Sequence, residues 1–380
     1  MEIRAIIGDT HLLHWILLTL FLVAFLIQWT RYVFVYLKFP LYKPPVSASS
    51  GQGVSVIICA RNEEQNLERF LPLILEQEHP NFEVVVVNDA STDLTEDLLI
   101  KLASKYKQLR YTSVPKNDRQ KSGKKLALTL GLKSARFEQV LLTDADCYPK
   151  SRQWLKCMSS GLSGDKRIVL GYGAYERRKG ILNALIRYET VFTAIQYFSY
   201  AIKGQAYMGV GRNLAYDKSL FFENKGFARH YHLLSGDDDL FVNENSTATN
   251  THVEYRPEAF TCSLPKTSLA AWLKQKKRHI STGSHYRRSS RFRLGLEWFS
   301  RIILYVTLIW LSITSPWLWL VLSLFGVLLV SRLVVFKMGM RCLEEKHLLL
   351  PSLLFDPVMP LIMGIIWLTG LFETKHQTWS

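Results

Sequence analysis

Both ends of this chain are too apolar to lie in water, and that constrains its fold more than any other feature. From His11 to Trp29 the run Leu-Leu-His-Trp-Ile-Leu-Leu-Thr-Leu-Phe-Leu-Val-Ala-Phe-Leu-Ile-Gln carries no Asp, Glu, Lys or Arg. About 20 such residues cross the hydrocarbon core of a bilayer. A cleaved signal peptide fits poorly: the run is long, little positive charge precedes it, and no small-x-small cleavage site follows. Arg31, Lys38 and Lys43 come directly after it and place that side in the cytoplasm. A second apolar stretch runs from Arg301 to about Phe336 and is broken at Ser315-Pro316, which predicts two helices, 302–315 and 317–335. Arg332, Lys337, Arg341 and Lys346 then mark a cytoplasmic return. The last stretch, Leu348 to Phe372, contains Pro351, Asp356, Pro357 and Pro360. Its first half is expected to re-enter or lie in the interface, and its second half, 358–372, to span. The count is four spans, with three as the alternative. The expected setting is the plasma (inner) membrane, with the middle of the chain facing the cytoplasm.

That middle has a different grammar. Pro44 to Gly53 is a linker by composition. Val54-Ser-Val-Ile-Ile-Cys-Ala predicts a buried strand, and 66–77 a helix. Phe82-Glu-Val-Val-Val-Val is a second strand and 94–106 a second helix. A short strand over 110–114, a helix over 123–134 and a strand from Gln139 to Thr143 follow. Strands alternating with helices imply βαβ units around a parallel sheet, whose ligands bind beyond the carboxyl ends of the strands. Those ends carry Arg61-Asn62-Glu63, Asp89, and Asp144-Ala145-Asp146. The expected division is an N-terminal anchor (1–37), a linker (38–53), an α/β domain (54–270), a basic interfacial segment (271–300) and C-terminal spans (301–372).

Asp144 and Asp146 stand two residues apart at a strand end. On an extended backbone they share a face and can reach one cation. A hard ion such as Mg²⁺ or Mn²⁺ takes oxygen ligands and completes its shell with water and phosphates. Taken alone, the triplet is more often a solvated acidic turn. Further on, Gly236-Asp237-Asp238-Asp239 sets three carboxylates in a row. Like charges that close raise at least one pKa, which suits a proton acceptor working near neutrality. The formal charge of +15 calls for an anionic neighbour. Eight Lys and Arg with no acid lie between Lys274 and Arg293, next to a span, where anionic lipid is as good a partner as a phosphorylated substrate. No nucleic-acid module is recognisable, and five scattered cysteines suit a reducing compartment.

In this order the motifs resemble those of a family 2 glycosyltransferase with the GT-A fold, in its membrane-bound branches of cellulose and hyaluronan synthases and ceramide glucosyltransferases. The likeness covers about residues 52 to 285. It implies that Ala60, Arg61 and Glu63 line a nucleotide pocket and that Asp89, in Val-Val-Val-Val-Asn-Asp, binds base or ribose. Lys124, in Gly-Lys-Lys-Leu-Ala-Leu, would assist the diphosphate. Asp144 and Asp146 become the metal-binding triplet for Mn²⁺ or Mg²⁺, with Asp146 the direct ligand. Gly211, Arg212 and Asn213, in Gly-Val-Gly-Arg-Asn-Leu-Ala-Tyr, would face donor sugar and acceptor. The general base would be Asp238 by alignment on Gly-Asp-Asp, or Asp237 by alignment on the downstream Leu. Gln275 and Arg278 match a Gln-x-x-Arg-Trp motif in which His279 replaces the Trp, which weakens a processive reading. The implied partners are a UDP- or GDP-sugar donor, a lipid or glycan acceptor and the membrane, with no nucleic acid. The implied reaction is an inverting transfer. The alternative is a membrane-anchored protein that binds a nucleotide sugar without turning it over.

Overall fold

A computed structural model describes residues 2–45, 51–114, 123–233 and 235–371; the middle of the expected linker, 46–50, and Phe372 lie outside the described residues. Helix α1 (Glu2–Arg31) continues through a π-turn (Tyr32–Tyr36) into the short α2 (Lys38–Leu41). The α/β domain then begins with β1 (Val54–Ala60), α3 (Glu64–Leu75), β2 (Phe82–Asn88), α4 (Thr95–Lys105), β3 (Leu109–Ser113), α5 (Lys124–Ser134) and β4 (Gln139–Asp144). β1 pairs in parallel with both β2 and β4, and β2 with β3.

The run Val54–Ala60 is apolar on both sides because helices cover both faces of the sheet. Val54, Val56 and Ile58 pack with Leu67, Leu71 and Leu75 of α3. Ile57 faces the other way, toward Leu128 and Leu132 of α5. Gly131 lets α5 lie close on the sheet, since a Cβ there would come within 2.6 Å of Ile57 Cγ2.

The second half adds β5 (Cys147–Pro149), α6 (Trp154–Ser160), β6 (Ile168–Leu170), β7 (Gly173–Tyr175) and α7 (Ile181–Ile202). β8 (Leu214–Asp217), α8 (Lys218–Glu223), α9 (Asp239–Asn245), β9 (Thr251–Val253) and β10 (Thr261–Ser263) complete it. β8 enters antiparallel between β4 and β6, giving a seven-stranded mixed sheet in the order β3-β2-β1-β4-β8-β6-β9, with a second sheet β5-β10-β7 beside it. The topology is that of a GT-A domain, as the motifs implied.

After α10 (Leu269–Ile280) come three long helices, α11 (Arg288–Thr314), α12 (Leu318–Cys342) and α13 (Leu349–Leu371). Among the described residues four helices, 12–41, 288–314, 318–342 and 349–369, are long and apolar enough to cross a membrane. Residues 288–300 of the expected basic segment form the first turns of α11, continuous with the candidate span. Two expectations change here. The stretch after Leu348 is one continuous helix through Pro357 and Pro360. Trp298 Nε1 of α11 donates to Pro360 O at 3.0 Å and ties the two helices together there. Arg332, expected at the cytoplasmic return, is instead buried within α12 and paired with Asp356 of α13, which also accepts from Tyr188 and Tyr305. A carboxylate among helices of this kind is tolerable only when so surrounded.

α7 joins the domain to the bundle: Leu185, Val191 and Phe198 share one apolar cluster with Leu304, Val335 and Phe355. Its Arg187 is 5% exposed and donates through Nε to Glu345 Oε2 at 3.0 Å and through Nη2 to Lys346 O at 3.1 Å, in the α12–α13 turn. Tyr172 OH donates to the other Glu345 oxygen at 3.2 Å. Arg187→Met leaves that carboxylate buried without its counter-charge, an expected loss of about 3–5 kcal/mol. Thermal unfolding in detergent micelles measures it, and Arg187→Met with Glu345→Gln should recover most of the loss.

Candidate active site

The register aligns Cys59 with Asp144 and Ala60 with Asn88, so the ends of β1, β2 and β4 form one edge. The turns leaving β1 and β2 are laced to each other. Asn62 N–H donates to Ser91 Oγ at 2.9 Å, and Thr92 N–H donates to Asn62 Oδ1 at 2.8 Å. Asn62 (φ 55°) and Ala90 (φ 52°) are both left-handed. For Ala that conformation costs about 1–2 kcal/mol, and the surrounding hydrogen bonds hold it in place.

Beyond this edge lies a cavity of about 820 Å³. It sits in the upper part of the ~300–1,000 Å³ range of ligand sites, with room for more than one reactant. Of the residues expected at the site, Arg61, Glu63, Lys124, Asp144, Asp146, Gly211, Arg212, Asp237, Asp238, Gln275 and Arg278 all line it. Three do not. Ala60 is fully buried, with its side chain in the cluster under α3. Asp89 is fully buried behind the turn, its N–H donating to Ala60 O at 2.8 Å. Asn213 is committed to the core: Oδ1 accepts from Trp154 Nε1 at 3.0 Å, and Nδ2 donates to Tyr172 O at 2.9 Å and Ala259 O at 2.7 Å. Its amide braces β8 and is not offered to a sugar.

Asp144, Asp146 and Cys147 bring their ligand atoms within 4.8 Å of one another. Cys147 is the poorest fit of the three for a hard cation, which prefers oxygen to sulfur, and its Sγ lies 2.8 Å from Ser263 Oγ. Two carboxylates remain, a donor set that fits a hard, oxygen-seeking cation such as Mn²⁺ or Mg²⁺. Asp144 Oδ1 accepts from Lys124 Nζ at 3.0 Å, whereas among the described residues Asp146 receives only the weak thiol donor at 3.4 Å. Its recessed position, and next Asp144, push the Asp146 carboxyl up, and a cation relieves that cost. Glu63 is raised likewise, by burial first and then by Asp146 and Asp144.

Lys124 also reaches Asp237 Oδ2 at 2.9 Å, so one ammonium bridges the two acidic groups. Burial works against the charge on both partners, but the pair prevails: Lys124 is held well above the usual lysine range and Asp237 below the usual carboxylate range. Among the described residues no cation lies within ion-pair distance of Asp238, though Lys124 acts on it from farther off. Burial, then Asp237 and Asp239, push it up to about 7. Its Oδ2 accepts from Gly211 N–H at 2.6 Å and its Oδ1 from Asp239 N–H at 2.8 Å. Gly211 permits that approach, since a Cβ there would stand 3.3 Å from Asp238 Oδ2. Asp239 points away and accepts from Thr282 and Tyr286, tying α9 to the turn before α11. Electrostatics separates the two candidates: Asp237 is a fixed ion-pair partner, and Asp238 is poised to take a proton near neutrality.

Residues that motif reading missed complete the wall. Tyr175 carries the Arg212 guanidinium on its ring at 4.2 Å and meets Gln275 Nε2 through its hydroxyl at 3.4 Å. Lys266 adds a cation near Asp146. Glu189 on α7 pairs with Lys276 on α10. Only the basic run around Lys274 gave a signal for any of these.

Residues 55–221 match the family model described as glycosyl transferase family 2. Over those residues the chain is similar to family 2 glycosyltransferase domains. The chain is 27% identical over 104 residues to a poly-β-1,6-N-acetyl-D-glucosamine synthase of Staphylococcus aureus (strain COL), covering 27% of this chain and 24% of that one. It is 25% identical over 242 residues to the probable glycosyltransferase YdaM of Bacillus subtilis (strain 168), covering 59% and 54%. The match therefore spans about a quarter of the first relative's length and half of the second's. Among solved structures, mannosyltransferase PcManGT from Pyrobaculum calidifontis, in complex with GDP-Man and Mn²⁺, superposes with a TM-score of 0.61. The two are 19% identical, and the superposition covers 96% of this chain and 100% of that one. That likeness extends the shared fold to nearly the whole molecule.

Proposed function

We propose that the protein is a membrane glycosyltransferase that moves a sugar from a UDP- or GDP-sugar to a hydroxyl of a membrane-associated lipid or glycan, with inversion. One observation carries the reading: a single cavity brings Asp144 and Asp146 together with Asp238 and continues among the long apolar helices. Asp146 foremost, with Asp144, would hold Mn²⁺ or Mg²⁺, which supplies Lewis-acid neutralisation of the diphosphate when bound. Lys124, Arg212 and Arg278 add positive charge for the leaving nucleotide, and Arg61 and Glu63 line the nucleotide end. Asp238 accepts the proton of the acceptor hydroxyl, whose oxygen bonds to the anomeric carbon. The bond from that carbon to the diphosphate breaks, and its electron pair leaves with the nucleoside diphosphate. Positioning and charge complementarity carry most of the rate.

The division into anchor (1–37), linker (38–53), catalytic domain (54–270) and membrane-proximal remainder belongs to this reading. So do the plasma membrane location and a domain facing the cytoplasm, where Arg31, Lys38 and Lys43 put it. The GDP-Man and Mn²⁺ of PcManGT and the glycan named for the staphylococcal synthase mark the donors and products to try first. The test is to incubate the full-length protein in native membranes with a panel of UDP- and GDP-sugars and Mn²⁺. Nucleoside diphosphate release with a glycosylated product is expected from one donor. Donor binding without release from any of them would favour the binding protein instead.

A further inference from the structure

A second cavity, of about 840 Å³, opens at the turn from α12 into α13 and shares no lining residue with the catalytic one. The turn has a costly shape. Glu344 (φ 54°) closes α12 in the left-handed position usually given to glycine, and Glu345 N–H donates back to Met340 O at 2.8 Å. His347 (φ 63°) adopts the same conformation three residues on. Between them the ends of the two helices leave a hollow.

Three cations ring it: Lys337 and Arg341, one turn apart on α12, and Lys346 in the turn. All three are exposed, and none is in an ion pair among the described residues. Of the two acids in the wall, Glu345 is taken up by Arg187 and Tyr172, which leaves Glu344 alone against three positive charges. Attraction to the helix dipole accounts for Arg341 in the last turn, but not for Lys337 before it or Lys346 beyond it. Like charges one turn apart repel, and an anion between them relieves the repulsion. The rest of the wall is apolar, with Met340 from α12 and Leu349, Leu350 and Pro351 from the start of α13. Leu350 is 78% exposed, and Leu354, one turn further along the candidate span, 60%. A soluble phosphate gains nothing from that floor, whereas an amphiphile matches both halves: charge at the rim, hydrocarbon along the leucines.

We propose that this cavity holds the phosphodiester head group of an anionic glycerophospholipid, with its acyl chains lying along Leu350 and Leu354 of α13. The site goes beyond the transferase reading and does not rest on it. It nevertheless touches the catalytic domain. Glu345 in its wall is the residue that anchors Arg187 of α7, and Tyr172, the other partner of Glu345, lines the catalytic cavity. A lipid that braces the turn braces α7 against the bundle.

The full-length protein, delipidated in a neutral detergent, is titrated with phosphatidylglycerol or with phosphatidylcholine of the same chains and followed by native mass spectrometry. Selective retention of phosphatidylglycerol is expected. Lys337→Gln with Arg341→Gln should weaken it about thirty-fold. Arg288→Gln with Arg291→Gln removes two exposed cations from the start of α11, also at the end of a candidate span, and should leave retention unchanged. Phosphatidylglycerol carrying a diazirine on its head group should label the parent within residues 337–351. Thermal unfolding should shift upward with phosphatidylglycerol in the parent and not in the Lys337/Arg341 variant, and glycerol phosphate at the same concentration should shift neither. An equal shift from glycerol phosphate would make the ligand a soluble anion and overturn the proposal. So would labelling elsewhere, equal retention of phosphatidylcholine, or full retention by the Lys337/Arg341 variant. An equal loss in the α11 variant would reduce the effect to general surface charge and overturn it as well. The labelling needs no variant, so it decides the matter even if the double substitution misfolds. Lipid held here by a protein that releases no nucleoside diphosphate refutes the transferase reading alone. Turnover with no preference for phosphatidylglycerol refutes the lipid site alone.

Discussion

Asp238→Asn is expected to lower kcat by about 10²–10⁴-fold, the usual contribution of a positioned general base. The amide oxygen still accepts from Gly211 N–H, at the cost of the bond from Asp239 N–H, while the proton acceptor is gone. In the unmodified protein kcat/KM should rise with pH and level off above about 7, because the carboxylate accepts a proton only when ionised. The variant should lose that rising limb. Stability should move the other way. A carboxyl whose pKa is raised in the fold contributes fully below its unfolded value near 3.8, and that contribution is lost as pH rises through about 7. Asparagine never pays the burial of charge, so at pH 8 the variant should melt no lower than the parent. Asp237→Asn should behave differently: it strips Lys124 of a partner at 2.9 Å and lowers stability. A flat pH profile in the parent, or a larger kcat loss in Asp237→Asn, would move the base assignment to Asp237.

Asp146→Asn is expected to cost about 10³-fold in turnover, the several kcal/mol a metal supplies to charge development on a leaving phosphate. Mn²⁺ titration followed by calorimetry in the presence of nucleoside diphosphate should show the binding isotherm lost. Thermal stability should hold, since Cys147 keeps Ser263 and the strand ends are fixed by the sheet. Asp144→Asn should be milder for the metal but should weaken the hold on Lys124. If Asp146→Asn retained Mn²⁺-dependent turnover, the triplet would be a structural turn.

These outcomes were legible in the sequence to different depths. β1, β2 and β4 could be read from their unbroken apolar runs, and Asp144 and Asp146 from their place at a strand end, because both are local facts. Asn213 misled, since its motif position says nothing of the Trp154 indole and two carbonyls that occupy its amide. Asp237 and Asp238 could not be separated, because the lysine that distinguishes them lies on α5, more than a hundred residues earlier. The membrane half was readable as apolar length but not as packing. Arg332 and Asp356 looked like an edge marker and an interruption, and they are partners. A polar residue inside a span is intelligible only once its counterpart on another helix is known.

The pairing of α1 with α11 has a consequence for biosynthesis. His14 Nε2 lies 2.9 Å from Thr314 O, and Gln28 donates to Glu297 O at 2.9 Å, across separations of 300 and 269 residues. A chain made from its N-terminus inserts α1 long before its partner exists. The whole α/β domain, with β8 closing onto β4, emerges from the ribosome in the interval and folds as a unit. The bundle is therefore expected to assemble last, closing over the face of α7 that awaits it. Defects in α11–α13 should leave a folded, tethered domain with an open membrane face, whereas defects in β1 or β4 should stop assembly before the bundle begins.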